Sequence, residues 1–172
     1  MPLFLFPTRL EAEPFIRLCP DADVVISGVG MAATAATLVR LYHEHRLDGR
    51  RVVLCGIAGA YNRELAIGEV TEVGEEWCVE LPERFRQHYR TECRTTLRRT
   101  SSNSVHSNGA DAEGRDIENM EGAALFAIAQ QMGLDAMELR SVSNYVGDNF
   151  ESWHIDEATE SLAHTIKRVF NL

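Results

Sequence analysis

The sequence predicts an α/β fold: a single-domain, three-layer αβα arrangement around a mixed, largely parallel central sheet. Two observations carry this. Short apolar runs alternate with segments of helical period in the order β-α-β-α-β, which implies parallel strands joined by helices that cover the sheet. Two of those runs lead into glycine-rich segments, Gly28-Val29-Gly30 and Gly56-Ile57-Ala58-Gly59-Ala60. In sheets of this kind, ligands bind beyond the carboxyl ends of the strands.

The elements follow in order. Leu3 to Phe6 is a short strand, and Leu10 to Leu18 a helix with Thr8 as N-cap. Ala22 to Ser27 is a second strand. Met31 to His45 is alanine-rich with apolar residues at helical spacing, hence a helix. Arg51 to Cys55 is a third strand, followed by a glycine turn over Gly56 to Ala60. Glu69 to Val73 is a further strand. The stretch from Glu75 to Arg115 is polar and arginine-rich, and admits loops, short strands and one helix near Pro82 to Tyr89. Met120 to Met132 is an apolar helix stopped by Gly133. Ala136 to Val142 is a strand and Asp156 to Phe170 an amphipathic closing helix. No internal repeat or linker interrupts the chain, which reads as one domain over residues 1–172.

Composition excludes several classes. The 172 residues carry a formal net charge of -9, with 45% hydrophobic and 25% charged residues. An acidic surface repels phosphate backbones and anionic membranes. The arginine-rich stretch from Arg84 to Arg99 reads as a solvated face with acidic neighbours such as Glu83 and Glu92. No nucleic-acid or membrane partner is expected. The four cysteines form no C-x-x-C pair, and Cys55 reads as a small buried hydrophobe. The apolar start, Met1 to Phe6, is too short for a signal peptide, and no run is long enough to span a bilayer. A reducing, cytoplasmic location is expected.

Gly28 to Ala33 matches G-x-G-x-x-A, a dinucleotide-binding pattern, but it follows the second strand, and the acid about 20 residues on would be Asp48, in a polar turn. A tight turn into a helix is the better reading. Glu121 opens an apolar helix, where the dipole favours a carboxylate and where it can accept hydrogen bonds from a sugar diol. Glu11 and Glu13 follow the first strand; one of them would suit a general base for water, while an exposed helix face is the plainer reading of both. His43-Glu44-His45 places its histidines two apart, which do not face together on a helix; no metal site and no cofactor are expected. His106 follows a polar loop and faces either ligand or solvent.

Taken together, Ile26-Ser27-Gly28-Val29-Gly30, Cys55 to Ala60, Ile67-Gly68-Glu69-Val70, Asn119-Met120-Glu121-Gly122-Ala123-Ala124 and Arg140-Ser141-Val142-Ser143-Asn144 occur in the order typical of purine nucleoside phosphorylases and nucleosidases. The resemblance covers most of the chain. Within that superfamily, the Gly-Ile-Ala-Gly-Ala segment, Met-Glu-Gly-Ala-Ala and Ser143-Asn144-Tyr145-Val146, followed by Trp153, look most like the futalosine hydrolases of an alternative menaquinone pathway.

The resemblance implies roles. Glu121 would bind the ribose hydroxyls, with Met120 packed on the sugar. Glu13 would position or activate water, with Glu11 as fallback. Gly28, Gly30, Ile57, Ala58 and Gly59 would shape the pocket. Asn103, Val105 and His106, with Ser101, resemble a base-binding strand and loop. Asn144 falls where the methylthioadenosine nucleosidases carry an aspartate that protonates adenine; an amide instead suits a 6-oxo purine. Phosphorylases of the family also need a phosphate site. Here Phe6-Pro7-Thr8-Arg9 replaces the usual turn and Ile57 fills the serine-like slot, so water is the expected nucleophile. The expected substrate is a purine nucleoside, and the expected assembly a homodimer. The central region, about residues 75–115, is shorter than the family pattern.

Overall fold

The computed structural model describes residues 1–172. Eight strands and four helices follow one another as β1 (Leu3–Phe6), α1 (Arg9–Leu18), β2 (Val24–Ile26), α2 (Met31–His43), β3 (Arg51–Ala60), β4 (Val70–Trp77), β5 (His88–Arg90), β6 (Arg98–Ser104), β7 (Ile117–Asn119), α3 (Gly122–Met132), β8 (Asp135–Tyr145) and α4 (Ile155–Phe170). β1 lies between β2 and β3, parallel to both. β8 runs parallel to the full length of β3 and antiparallel to β4. β6 continues from β4, β7 from β6, and β7 returns antiparallel to the end of β3. The sheet therefore curls until β3, β8, β4, β6 and β7 close on one another, and β5 pairs antiparallel to β4 outside that ring.

Period-two alternation sorts the side chains of β1 between two cores. Leu3 and Leu5 pack with Leu38 and Leu41 of α2 and with Leu125 and Phe126 of α3. Phe4 and Phe6 pack with Phe15 of α1 and with Leu162 and Ile166 of α4. Two helices thus cover each face. Each of these buried side chains stabilises the fold by about 1.5–3 kcal/mol, against about 0–1 kcal/mol for an exposed ion pair such as Arg9–Glu13. The cores, not the surface charges, decide the architecture.

Thr8 caps α1, its hydroxyl accepting the Glu11 N–H at 3.1 Å, and Gly133 ends α3 in the left-handed region. α2 stops at His43 and β2 covers only Val24–Ile26, both shorter than the sequence pattern implied. α3 begins at Gly122, two residues later than its apolar run.

Three differences from the sequence reading matter for the site. Gly56 to Ala60 is not a turn: β3 runs straight through it. Glycine at position 56 reflects space, since a Cβ there would meet Arg140 Nη1 at 2.6 Å and Glu11 Oε1 at 3.0 Å. A register shift between Ala58 and Gly59 offsets the end of β3 against β8, the kind of irregularity that re-aims side chains near a site. In place of a helix near Pro82, a single 3-10 turn, Glu83–Phe85, precedes β5. None of its residues is buried, so no apolar face holds a longer helix there.

The arginines of the 84–99 stretch do find acids: Arg86 pairs with Glu113, Arg94 with Asp135 and Arg99 with Glu75. No helix is long and apolar enough to cross a membrane.

Candidate active site

A cavity of about 350 Å³ opens where β1, β3 and β8 end and α1 and α3 begin. Pro7, Thr8 and Glu11 line it from the first strand and helix, Ile57, Ala58 and Gly59 from β3, Met120 and Glu121 from the start of α3, and Ser143 and Asn144 from β8. Val29, Leu10, Phe150 and Trp153 surround its mouth, and Val105, Asn108 and Glu118 close the far side.

Glu11 is buried at the floor. Its Oε1 accepts the Ile57 N–H at 3.1 Å, and its Oε2 accepts the Thr8 hydroxyl at 2.6 Å. Burial pushes its carboxyl above the ordinary glutamate value, although both donors and Arg140 work in the opposite direction.

Glu121 is held at both oxygens. The Gly30 N–H donates to Oε1 at 2.9 Å, and Arg140 Nη2 donates to Oε2 at 3.1 Å. Gly30 has φ +92°, a conformation that glycine adopts without strain, and this turns its N–H toward the carboxylate.

Arg140 ties the floor together. Nη1 donates to the Ile57 carbonyl at 3.3 Å, Nη2 also reaches Asn119 Oδ1 at 3.0 Å, and Nε pairs with Glu138 at 2.7 Å. Burial works against its charge, yet Glu138 and Glu121 more than offset this and raise its pKa. Asn119 is the second hub: its Oδ1 also accepts the N–H groups of Glu121 and Gly122, each at 2.7 Å, and so fixes the start of α3.

On the wall, Asn144 Oδ1 accepts the Ser143 hydroxyl at 2.8 Å and its Nδ2 donates to the Tyr145 carbonyl at 3.1 Å. One amide hydrogen remains to face a ligand. Glu118 accepts the Tyr61 hydroxyl at 2.6 Å and the Gly109 N–H at 3.0 Å, anchoring the loop beyond β6. Burial, and Glu118 beside it, push the Tyr61 hydroxyl up.

Of the residues singled out from sequence, Glu121, Met120, Ile57, Ala58, Gly59, Val105 and Asn144 line this one cavity. Glu13 does not. It lies one residue off the inward face of α1, with its side chain 43% exposed and paired with Arg9 at 2.8 Å. Residues 11 and 13 diverge by about 200° on a helix, so only one can face the floor, and Glu11 does.

His106 is also outside, exposed and paired with Glu80. Asn103 is buried behind the wall, its amide donating to the carbonyls of Asp111 and Ala112. Gly28 and Gly30 do not themselves line the cavity; Val29 between them does, and Gly30 acts through its N–H.

Arg140, Glu138, Glu76 and Asn119 received no role from sequence. The available signal was a period-two one. Glu138 and Arg140 lie two apart in a strand flanked by apolar residues, which puts two charges on one buried face.

The phosphorylase superfamily model matches residues 87–172, half of the chain. The protein belongs to that superfamily. No curated protein matches it in a sequence search.

Solved structures with the same fold include a 5′-methylthioadenosine/S-adenosylhomocysteine nucleosidase from Helicobacter pylori, solved with butyl-thio-DADMe-Immucillin-A. It is 15% identical with a TM-score of 0.82, over 98% of this chain and 96% of that one. The native futalosine hydrolase of Helicobacter pylori strain 26695 is 14% identical with a TM-score of 0.83, over 98% and 96%. The Arabidopsis thaliana 5′-methylthioadenosine nucleosidase in apo form is 17% identical with a TM-score of 0.82, over 99% and 96%. At these identities the likeness establishes the fold.

Proposed function

We propose that this protein is a nucleosidase that hydrolyses the N-glycosidic bond of a 6-oxo purine nucleoside, with futalosine as the substrate of choice. The observation that carries the reading is the joining of Glu11 and Glu121, from opposite sides of one cavity, to the same buried guanidinium. Arg140 holds Glu121 Oε2 directly and donates to the carbonyl of Ile57, the residue whose N–H holds Glu11.

A ribose seated between these groups would meet Glu121 at its hydroxyls, with Met120 against the ring. As the glycosidic bond lengthens, the sugar gains oxocarbenium character. Carboxylates fixed below it stabilise that charge without reorganising, usually the largest contribution to such rates. Glu11, whose burial strengthens it as a base, would take the proton from the attacking water. Asn144 would donate to N7 of the departing base.

Two features support water over phosphate. The residues lining the cavity include no arginine, lysine or histidine to hold a dianion. Arg9, the cation of the Phe6-Pro7-Thr8-Arg9 segment, is exposed and paired with Glu13.

Asn144 supports a 6-oxo over a 6-amino purine. An amide can accept from or donate to the edge of a hypoxanthine-type base but cannot supply the proton that an adenine needs to leave. The exposed apolar rim of Leu10, Val29 and Phe150 at the mouth supports a homodimer paired through this face.

The test is chromatography of futalosine, methylthioadenosine and inosine digests, with and without phosphate. Release of hypoxanthine from futalosine at a rate independent of phosphate is expected. Phosphate-dependent ribose 1-phosphate, or preferential release of adenine from methylthioadenosine, would overturn the assignment.

A further inference from the structure

Beneath the cavity lies a charge balance that the proposed chemistry does not use. Four buried carboxyl groups, Glu11, Glu121, Glu138 and Glu76, surround one guanidinium, Arg140. Glu138 and Glu76 are the two that do not reach the cavity.

Glu138 Oε1 accepts from Arg140 Nε at 2.7 Å, while its Oε2 is buried without a hydrogen-bond partner. Glu76 accepts the Ser104 hydroxyl at 2.7 Å and the Asn119 amide at 3.2 Å. Both carboxyl groups converge on the backbone of Gly122: a Cβ there would lie 2.5 Å from Glu138 Oε2 and 2.7 Å from Glu76 Oε2. The other neighbours on this side, Ser102, Ser104 and Asn119, are neutral, and no histidine or second cation faces the pair.

Two ionised carboxylates this close, in a dry interior, with one Arg already shared with Glu121, would leave an uncompensated buried charge. A proton on Glu76 removes that charge and leaves Glu138 as the one carboxylate beside Arg140 on this side.

We propose that Glu76 and Glu138 are positioning residues that hold one proton between the two of them, resident on Glu76, and that the neutral acid leaves Glu138 as the carboxylate that orients Arg140 to hold Glu121. The catalytic consequence rests on the nucleosidase reading above; the protonation itself does not. Burial, and Glu138 beside it, push the Glu76 carboxyl well above the usual glutamate range. Burial likewise raises Glu138, against the pull of Arg140.

The sign of the pH dependence follows. The stability that a protonated Glu76 contributes is complete below the ordinary glutamate value and is lost as the pH rises toward its raised folded value. Loss of that proton sets Glu138 and Glu76 against each other and frees Arg140 to be drawn from Glu121.

The test compares Glu76→Gln and Glu138→Gln with the wild type in two measurements. The first is thermal unfolding between about pH 5 and pH 9, without nucleoside, where linkage to a buried acid is read directly. Glu76→Gln, which keeps a neutral donor, is expected to make the wild-type decline in Tm with rising pH clearly shallower, leaving the part that Glu11 contributes. The second is kcat/KM for nucleoside hydrolysis over the same range. Glu76→Gln should stay within about threefold of wild type at neutral pH and lose the alkaline fall. Glu138→Gln, which removes one of the two ionic partners of Arg140, should lower kcat/KM by about tenfold or more, as for a broken buried pair.

A decline in Tm as steep in Glu76→Gln as in the wild type, or equal damage from both changes, would overturn the proposal. If the wild type cleaves no nucleoside, the functional reading falls while the unfolding measurement still decides the pair.

Discussion

The Glu11 carboxylate accepts the backbone N–H of Ile57, 46 residues away, at 3.1 Å. That bond fixes the first turn of α1 against the middle of β3, and it explains why residue 11 and not residue 13 belongs to the cavity. The expected outcome is a sharp contrast between neighbours. Glu11→Gln should lower kcat by about a hundredfold or more, the loss typical of a general base. Glu13→Gln should leave turnover unchanged and alter stability by at most about 0.5 kcal/mol, as for an exposed ion pair. Steady-state kinetics on both variants checks this.

Glu121→Ala should remove sugar binding and turnover together. It also leaves the Gly30 N–H and one arm of Arg140 without their partner, so a destabilisation of about 3–5 kcal/mol accompanies it, as when one member of a buried pair is removed. Glu121→Gln separates the effects. The amide oxygen still accepts one of the two hydrogen bonds, so the fold should survive denaturant titration while activity is lost.

Asn144→Asp should move base preference from 6-oxo toward 6-amino purines, because a carboxyl group can carry the proton that an amide cannot. Asn144→Ala should slow release of either base by about 10²–10³, the usual cost of one transition-state donor. An unchanged ratio of hypoxanthine to adenine release in Asn144→Asp would contradict the role assigned to that position.

The acid limb of the pH profile reports Glu11. A general base works only when ionised, so activity falls as the pH drops through its pKa. Burial raises that pKa, and the limb should therefore lie above the range of an ordinary glutamate. Measuring kcat/KM against pH gives the position directly.

Phe150 is 67% exposed at the mouth of the cavity. Phe150→Asp should convert a dimer to a monomer in light scattering after size exclusion. It should also raise KM if the paired face helps to enclose the ligand.

Much of this was legible in the sequence, and the exceptions have physical causes. Leu3–Phe6, the Thr8 cap, the alanine-rich α2 and the Gly133 stop were readable because propensity, capping and apolar period agreed at each. Glycines at 56 and 59 looked like a turn because local propensity cannot see that Arg140 and Glu11 need the space beside position 56.

Periodicity did not reveal β6 and β7, although the resemblance suggested a strand about Ser101 and Asn103, because their buried residues other than Ile117, namely Thr100, Ser102, Asn103, Ser104, Glu118 and Asn119, are polar. Their burial is supported by hydrogen bonds to partners distant in sequence, such as Asn119 to Glu76, and no hydrophobic alternation announces them. For the site, motif order identified Glu121 and Asn144. It chose Glu13 over Glu11, and the structure puts Glu11 in the cavity instead, because that choice depends on which face of α1 meets β3.

The most direct test of the central claim is turnover of futalosine in heavy-oxygen water with mass analysis of the products. In the first turnovers, before the free sugar exchanges its anomeric oxygen with solvent, the account predicts one heavy oxygen in the sugar product, none in the released hypoxanthine, and labelled product formed about a hundredfold more slowly by Glu11→Gln. A sugar product without the label, a phosphorylated sugar, or labelled product formed at the wild-type rate by the Glu11 variant would contradict it.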